Sequence, residues 1–411
     1  MTTRVALFAE LGVSSIGNDA SAAQVIRMLE AGPGAVEVTI VSREPAGSRE
    51  ALGRPATSAR ARWGYSGPGH ASGVAKGVRL ALDLVHLVRL AGRFDAIVVP
   101  GTGALEAGHG GPPRGTLLSL LLVGLAARCR ATPYAWLGVG GSRYTRSLTR
   151  WVVRAAAATA NVRSYRDPLT REAVGSTGVD TARDVLIDDI VTARSDVPLA
   201  ASDANRGVIV VSVIDVPSAD GAAWATDAER ERYRRETGRV VAALVDRGER
   251  VRVVVSDAAD VAVARQVVGD VAEHVAEHVA EHVAEDRAFG SVEIRTPRDF
   301  EEMLRELAGV RAVVGSRFHI LVAAALNRIP FVTVEHADKV RVLAEAAGVG
   351  AYRLDAHSFR SDELVEALDA LVDKRDALSR DVDAWADGAR ERTLRGYDEV
   401  LSRLGALREA S

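Results

Sequence analysis

The chain has 411 residues, 47% of them hydrophobic and 26% charged, and a formal net charge of −3. That length exceeds what one compact core usually serves and predicts two domains, while a charge this close to neutral carries no electrostatic footprint for nucleic acid. One cysteine, Cys129, excludes an intrachain disulfide and any cysteine-based zinc site, and fits a reducing cytoplasm.

The first residues lead straight into an apolar strand at 5–9, without the charged and apolar regions of a signal peptide. A polar turn at 12–19 follows, ending Gly17-Asn18-Asp19, then a helix with Val25, Ile26 and Leu29 inward and a strand at 36–41. This order makes a strand–loop–helix–strand unit with a ligand-competent loop. The glycine spacing is not that of the dinucleotide fingerprint, so a nicotinamide cofactor is unsupported. Asn18 and Asp19 read either as ligand-facing groups or as the cap of the helix.

Residues 43–78 are rich in Gly, Ser, Arg and Pro, lack periodicity, and predict a long loop. A helix at 78–91 leads to a strand at 95–99 and to Pro100-Gly101-Thr102-Gly103, whose glycines let backbone approach a ligand. Residues 117–127 are apolar but too few to span a bilayer, and predict a buried helix. A strand at 134–137, the loop Gly138-Val139-Gly140-Gly141 and a helix at 149–159 repeat the pattern. Then Arg163 and Arg166 fall on one face of a strand, and Asp167 opens a helix. Residues 184–191 predict the closing strand of the first domain.

Residues 194–206 are polar and aperiodic and form the linker. A buried-type strand at 207–213, a helix at 227–247 and a strand at 251–256 open the second domain. Residues 271–285 repeat Val-Ala-Glu-His, which strings His274, His278 and His282 along a helix stripe. No thiol or carboxylate completes a closed zinc site there, so a solvated extended helix is the reading, and no metal is expected. Residues 299–308 form the next helix.

The chain is organised around residues 310–349. A strand at 311–314, a Gly315–Ser316 turn, a helix from Arg317 or Phe318 to Ala325, a strand at 331–334 and a helix near Lys339 follow in close order. Ligands of parallel sheets bind beyond the carboxyl ends of the strands, at helix N-termini with unpaired N–H groups. Ser316, Arg317, His319, Glu335 and Lys339 therefore converge on one crevice, and two cations with a histidine suit a small, multiply charged anion. Past residue 349 come a short strand and two charged helices, the last at 380–407.

Gly315-Ser316-Arg317-Phe318-His319, the Ala-rich helix after it, Ile329-Pro330-Phe331-Val332 and Lys339-Val340 resemble the C-terminal signature of the polysaccharide pyruvyl transferases. Gly17-Asn18-Asp19 resembles a compressed form of that family's first glycine loop. Thr102 interrupts what is usually a run of three glycines. The resemblance implies an α/β chain of two Rossmann-like parallel-sheet domains facing a central cleft, a glycosyltransferase-B-like architecture. It divides as 1–195 on the acceptor side, a linker at 196–206, 207–379 on the donor side, and a C-terminal helix at 380–411 that crosses back.

It further implies that phosphoenolpyruvate, as donor substrate with no separate cofactor, gives its pyruvyl group to two hydroxyls of a sugar as a cyclic ketal. The acceptor would be a free, lipid-linked or nucleotide-linked saccharide, with room for peripheral membrane association and a homo-oligomer. Arg166 is the counterpart of the family's arginine that holds phosphoenolpyruvate, and Arg163 is the second candidate. Arg317 and Lys339 would complete the anion clamp, and His319 is the acid/base candidate. Ser316, Asn18, Asp19, Gly101, Gly103, Gly140 and Glu335 would contact substrate. A glycosyltransferase with a nucleotide sugar in the same crevice shares the fold, and a catalytically silent sugar-binding protein is the other alternative.

Overall fold

A computed structural model describes residues 2–9, 11, 15–61, 73–106, 116–194, 202–215, 226–281 and 290–409. Several expectations lie outside the described residues: the start of the first turn (12–14), much of the loops at 62–72 and 107–115, most of the linker (195–201), and His282. The chain folds as two compact units, Met1–Val13 with Asn18–Ala193 and Arg390–Ser411, and Ser14–Gly17 with Arg194–Ala389.

In the first unit, β1 (Thr3–Phe8), α1 (Ile16–Glu30), β2 (Val36–Ser42), α2 (Pro45–Leu52), β3 (Ala56–Ser58), α3 (Gly73–Ala91) and β4 (Ala96–Val99) come in order. After them come α4 (Thr116–Cys129), β5 (Tyr134–Val139), α5 (Ser147–Thr159), β6 (Val162–Tyr165), α6 (Pro168–Gly175) and β7 (Val185–Leu186). The strands form one parallel sheet in the order β3-β2-β1-β4-β5-β6-β7. Helices on both faces bury them, which is why β4 and β5 read as unbroken apolar runs.

Two expectations fail here for local reasons. The segment 43–78 is not one loop: Pro45 starts α2 at a position that needs no N–H, and Gly53 ends it in the left-handed conformation at φ 60°. β3 then adds an edge strand beside β2. The strand expected at 184–191 shrinks to β7, because Asp189 turns the chain by accepting from the Val191 N–H at 3.2 Å.

The second unit runs β8 (Val208–Ser212), α7 (Asp227–Asp246), β9 (Arg250–Val254), α8 (Val261–Glu281), β10 (Ser291–Arg295), α9 (Phe300–Leu307) and β11 (Ala312–Gly315). It ends with α10 (Phe318–Leu326), β12 (Phe331–Glu335), α11 (Asp338–Ala346), β13 (Arg353–Asp355), α12 (Ser361–Asp373) and the long α13 (Arg375–Glu409). Its parallel sheet has the order β10-β9-β8-β11-β12-β13. Capping fixes the helix starts: Thr226 and Glu229 form a reciprocal box at α7, and Asp299 accepts from the Glu302 N–H at 2.8 Å at α9. α9 buries Phe300, Met303, Leu304 and Leu307, the i, i+3, i+4, i+7 stripe of an amphipathic helix.

α13 begins at Arg375, earlier than its charge pattern alone predicts, and its last turns belong to the first unit. There Tyr397, Val400 and Leu404 pack with Val25, Ile26 and Leu29, and Arg392 donates to Asp188 at 2.7 Å. The histidine repeat continues α8, with His274 paired to Asp246 at 2.9 Å. Among the described residues no helix is long and apolar enough to cross a membrane.

Candidate functional site

Both sheets are doubly wound, so each has a switch point where strand order reverses, β1/β4 in one and β8/β11 in the other. Ligand crevices open at such points because the helices leaving the two strands diverge.

In the second unit β11 delivers Gly315, Ser316 and Arg317 to this edge, and Arg317 is the residue that precedes α10. The Ser316 and Arg317 N–H groups donate to Ser212 Oγ, at the end of β8, at 3.0 and 3.4 Å. Ser316 Oγ lies 3.0 Å from the Tyr233 hydroxyl, which also accepts from the Ile214 N–H at 3.3 Å. Burial pushes that hydroxyl's pKa up to about 12, so it stays protonated and serves as a fixed link between strand ends.

Arg317 itself is gripped from below. Its Nε and Nη2 each donate to Asp260 at 2.6 Å, a bidentate pair, and Asp257 lies 3.8 Å from Nη1. Asp260 is fully buried and also accepts from the Asp215 N–H at 2.7 Å, tying together the ends of β8, β9 and β11. Burial works against the guanidinium charge, but the bonds and charge of Asp260 outweigh it and raise the Arg317 pKa further. Asp215, nearly buried, is paired with Arg230.

His319 is the second residue of α10, whose first turn carries no acidic side chain. Its ring lies against Gly17: a Cβ built on that glycine would stand 1.8 Å from Nδ1. Glycine at 17 is thus a requirement of close approach. β12 is in register with β11, Gly315 opposite Thr333, so the start of α11 shares the same sheet edge. Glu335 closes β12, with Arg353 at 3.8 Å and the Thr333 hydroxyl at 3.3 Å; Lys339, half-buried, is in the first turn of α11. Burial raises the Glu335 carboxyl above its ordinary range against the pull of Arg353. Ser316, Arg317, His319, Glu335 and Lys339 are therefore brought to one edge.

In the first unit Gly101 and Gly103 follow β4 and Gly140 follows β5, in adjoining loops joined by Gly140 N–H to Thr102 O at 2.8 Å and Leu105 N–H to Gly140 O at 2.9 Å. A Cβ on Gly140 would stand 2.3 Å from the Arg166 guanidinium carbon. That guanidinium is 2% exposed and ringed by Glu106 at 3.2 Å, Asp189 at 3.5 Å and Asp167 at 3.7 Å. Asp167 also caps α6, accepting from the Thr170 N–H at 2.6 Å.

Arg163 is drawn the other way. It makes two bonds to Asp184, at 2.8 and 2.9 Å, and reaches the Ala157 and Asp180 carbonyls, near the chain's entry to β7. It does not share the surroundings of Arg166. Asn18 and Asp19 lie inside the first turn of α1, since the helix starts at Ile16; neither precedes it as a cap.

Asp260, Tyr233, Ser212, Asp215, Glu106 and Asp189 complete these clusters and were not singled out from the sequence. Three of them, Ser212, Asp215 and Asp189, stand at or just past strand carboxyl ends, the position that drew attention to Arg317, so the same rule applied to every strand points to them.

The fold is shared with several solved proteins. The UDP-GlcNAc 2-epimerase of Neisseria meningitidis bound to UDP-GlcNAc is 9% identical, with a TM-score of 0.60 over 98% of this chain and 100% of that one. Anabaena Alr3699/HepE in complex with UDP-glucose is 10% identical, with a TM-score of 0.56 over 98% and 99%. A putative UDP-N-acetylglucosamine 2-epimerase of Listeria monocytogenes is 12% identical, with a TM-score of 0.59 over 96% and 95%. No curated protein matches the chain in sequence. The polysaccharide pyruvyl transferase model matches residues 16–338, so a chain built on two Rossmann-like domains, the glycosyltransferase-B type of fold, belongs to the polysaccharide pyruvyl transferase family.

Proposed function

We propose that the chain transfers the pyruvyl group of phosphoenolpyruvate onto two hydroxyls of a sugar or glycan precursor. The observation that carries this reading is the β8/β11 switch point, where an oriented Arg317 and His319 stand at the start of an acid-free first turn, beside Lys339. Helix N–H groups and these side chains suit a ligand that carries phosphate and carboxylate together.

Two sugar oxygens bond to C2 of phosphoenolpyruvate, the bond from C2 to the phosphate oxygen breaks, one hydroxyl proton goes to the methylene carbon to make the methyl, and the other leaves with phosphate. Arg317 and Lys339 hold the anionic groups, and His319 carries a proton to the methylene carbon or the departing phosphate. Glu335 takes a proton from a sugar hydroxyl. Arg166, held beside the glycine wall by Glu106, Asp167 and Asp189, remains the proposed counterpart of the family's arginine that holds phosphoenolpyruvate. Arg163 holds the chain at β7. Gly101, Gly103 and Gly140 offer backbone to the acceptor, and Asn18 and Asp19 its hydrogen-bond partners.

A second reading is glycosyl transfer from a nucleotide sugar. Several solved proteins of the same fold hold UDP, UDP-glucose or UDP-GlcNAc, which supports a sugar nucleotide as donor or as the acceptor's handle.

The test is incubation with phosphoenolpyruvate and a panel of free, nucleotide-linked and lipid-linked sugars, following phosphate release and product mass. Pyruvylation adds about 70 daltons to the acceptor, with stoichiometric phosphate, and His319→Ala abolishes both while the fold survives. Release of UDP from a UDP-sugar, with no change dependent on phosphoenolpyruvate, would establish the second reading instead.

A further inference from the structure

Among the described residues, the large hydrophobic side chains left exposed lie in one layer of the first unit. These are Val78, Leu80, Val85, Leu125, Leu148 and Trp151, and all six lie on α3, α4 and α5. These helices pack side by side with α4 between the other two. Their inner sides fill the core with residues such as Leu87, Leu120 and Val153.

The outer sides carry apolar residues as well, at helical spacing: 78, 82 and 85 on α3, 118 and 125 on α4, 148 and 151 on α5, while Leu122 and Ala155 pack against the core. Trp151 is 60% exposed and Leu148 56%, values unusual for residues that gain so much from burial. A helix layer apolar on both sides has a second partner.

The charges around it identify that partner. α4 and α5 contain no acidic residue, and the one acid of α3, Asp83, is half-buried and accepts from the Ala61 N–H at 2.9 Å. Arg79, Arg89, Arg128, Arg146 and Arg154 are exposed on or beside the same helices. A second copy of this face would set arginines against arginines. An anionic lipid surface offers headgroup phosphates to the arginines and an apolar boundary to Trp151, Leu125 and Leu148.

We propose that the α3–α4–α5 face of the first unit docks on an anionic bilayer surface, whichever group-transfer reaction the chain performs. The test is flotation of the full chain with phosphatidylcholine vesicles and with vesicles of roughly one-third phosphatidylglycerol. The expected result is binding to the anionic vesicles that weakens with salt, is reduced roughly tenfold or more by Trp151→Glu, and falls roughly fivefold for each of Arg146→Gln and Arg154→Gln. All three side chains lie outside the core, and an unchanged circular dichroism spectrum checks that the variants fold. Absence of binding to anionic vesicles at low salt, equal binding to neutral ones, or no effect of Trp151→Glu overturns the proposal. So does a homodimer in solution that Trp151→Glu dissociates, since that would make this face a contact between copies.

Discussion

Asp260 is the residue on which the second unit's site turns, although it is fully buried and touches no solvent. Its carboxylate accepts two bonds from Arg317 at 2.6 Å and one from the Asp215 N–H at 2.7 Å. Asp260→Ala leaves a guanidinium and a backbone donor unsatisfied. Breaking a buried pair costs about 3–5 kcal/mol. Arg317 keeps 22% of its side-chain surface and has Asp257 at 3.8 Å, so water and a second acid recover part of that loss. The stranded N–H adds about 1–3 kcal/mol. A net loss of about 3–4 kcal/mol is expected, which for a unit of this size lowers the thermal midpoint by roughly 6–16 °C.

Asp260→Asn keeps one acceptor oxygen, for the Asp215 N–H and Arg317 Nη2, but loses the charge and sets an amide donor against Arg317 Nε–H, so it should recover only about 1 kcal/mol of the loss. Arg317→Met with Asp260→Ala removes both partners and should regain about 2–3 kcal/mol over the summed single changes. The assay is chemical denaturation of the four proteins as a double-mutant cycle. Single effects that add to within about 0.5 kcal/mol would refute the coupling, and with it the account of how Arg317 is aimed.

Gly17→Ala forces the His319 ring aside, because the added carbon would stand 1.8 Å from Nδ1; kcat/KM should fall about 100-fold with a stability loss of only about 1–3 kcal/mol, measured by steady-state kinetics and thermal melts. Gly140→Ala drives a methyl to within 2.3 Å of the Arg166 guanidinium, and should destabilise the first unit by about 1–3 kcal/mol while leaving the Asp260–Arg317 coupling unchanged. The raised carboxyl pKa of Glu335 means the folded chain binds that proton more tightly than the unfolded one. Its contribution to stability is therefore fully present below the unfolded value of about 4.3 and declines as pH rises through the higher folded value. Glu335→Gln should flatten that part of a melting-temperature profile against pH and remove the acid limb of the activity profile.

The second unit's site was legible because its elements are short, strongly apolar and sharply bounded. Residues 311–339 alternate buried strands with helices that begin at polar residues, so Arg317, His319 and Lys339 fall at strand ends with no knowledge of pairing. What faces those residues was not legible. Asp260 lies 57 positions before Arg317, and their meeting depends on β9 and β11 flanking β8, an order that no local pattern encodes. Arg163 and Arg166 show the same limit on a smaller scale. They were expected on one face of a strand, but three positions apart in extended chain they leave on opposite sides, where Asp184 holds one toward β7 and Glu106 and Asp189 enclose the other. The segment 43–78 was misread for a simpler reason. Its glycines and prolines are helix boundaries at Pro45 and Gly53, and a window that averages over them sees only a loop.

A bare positive notch is what the isolated residues predicted, and the assembled ones make something different. Three carboxylates surround the Arg166 guanidinium, and two stand beside that of Arg317. Neither arginine therefore offers uncompensated charge at long range, and each is held in one orientation before any ligand arrives. On the proposed reading, selectivity for an anion would rest on the N–H groups at the start of α10, on Arg317 and on Lys339. A site of this kind discriminates by shape and by the placement of acceptor oxygens more than by total charge. The proposed pyruvyl transfer would need that property, because phosphate departs and carboxylate stays and the groups that hold the two must not be interchangeable.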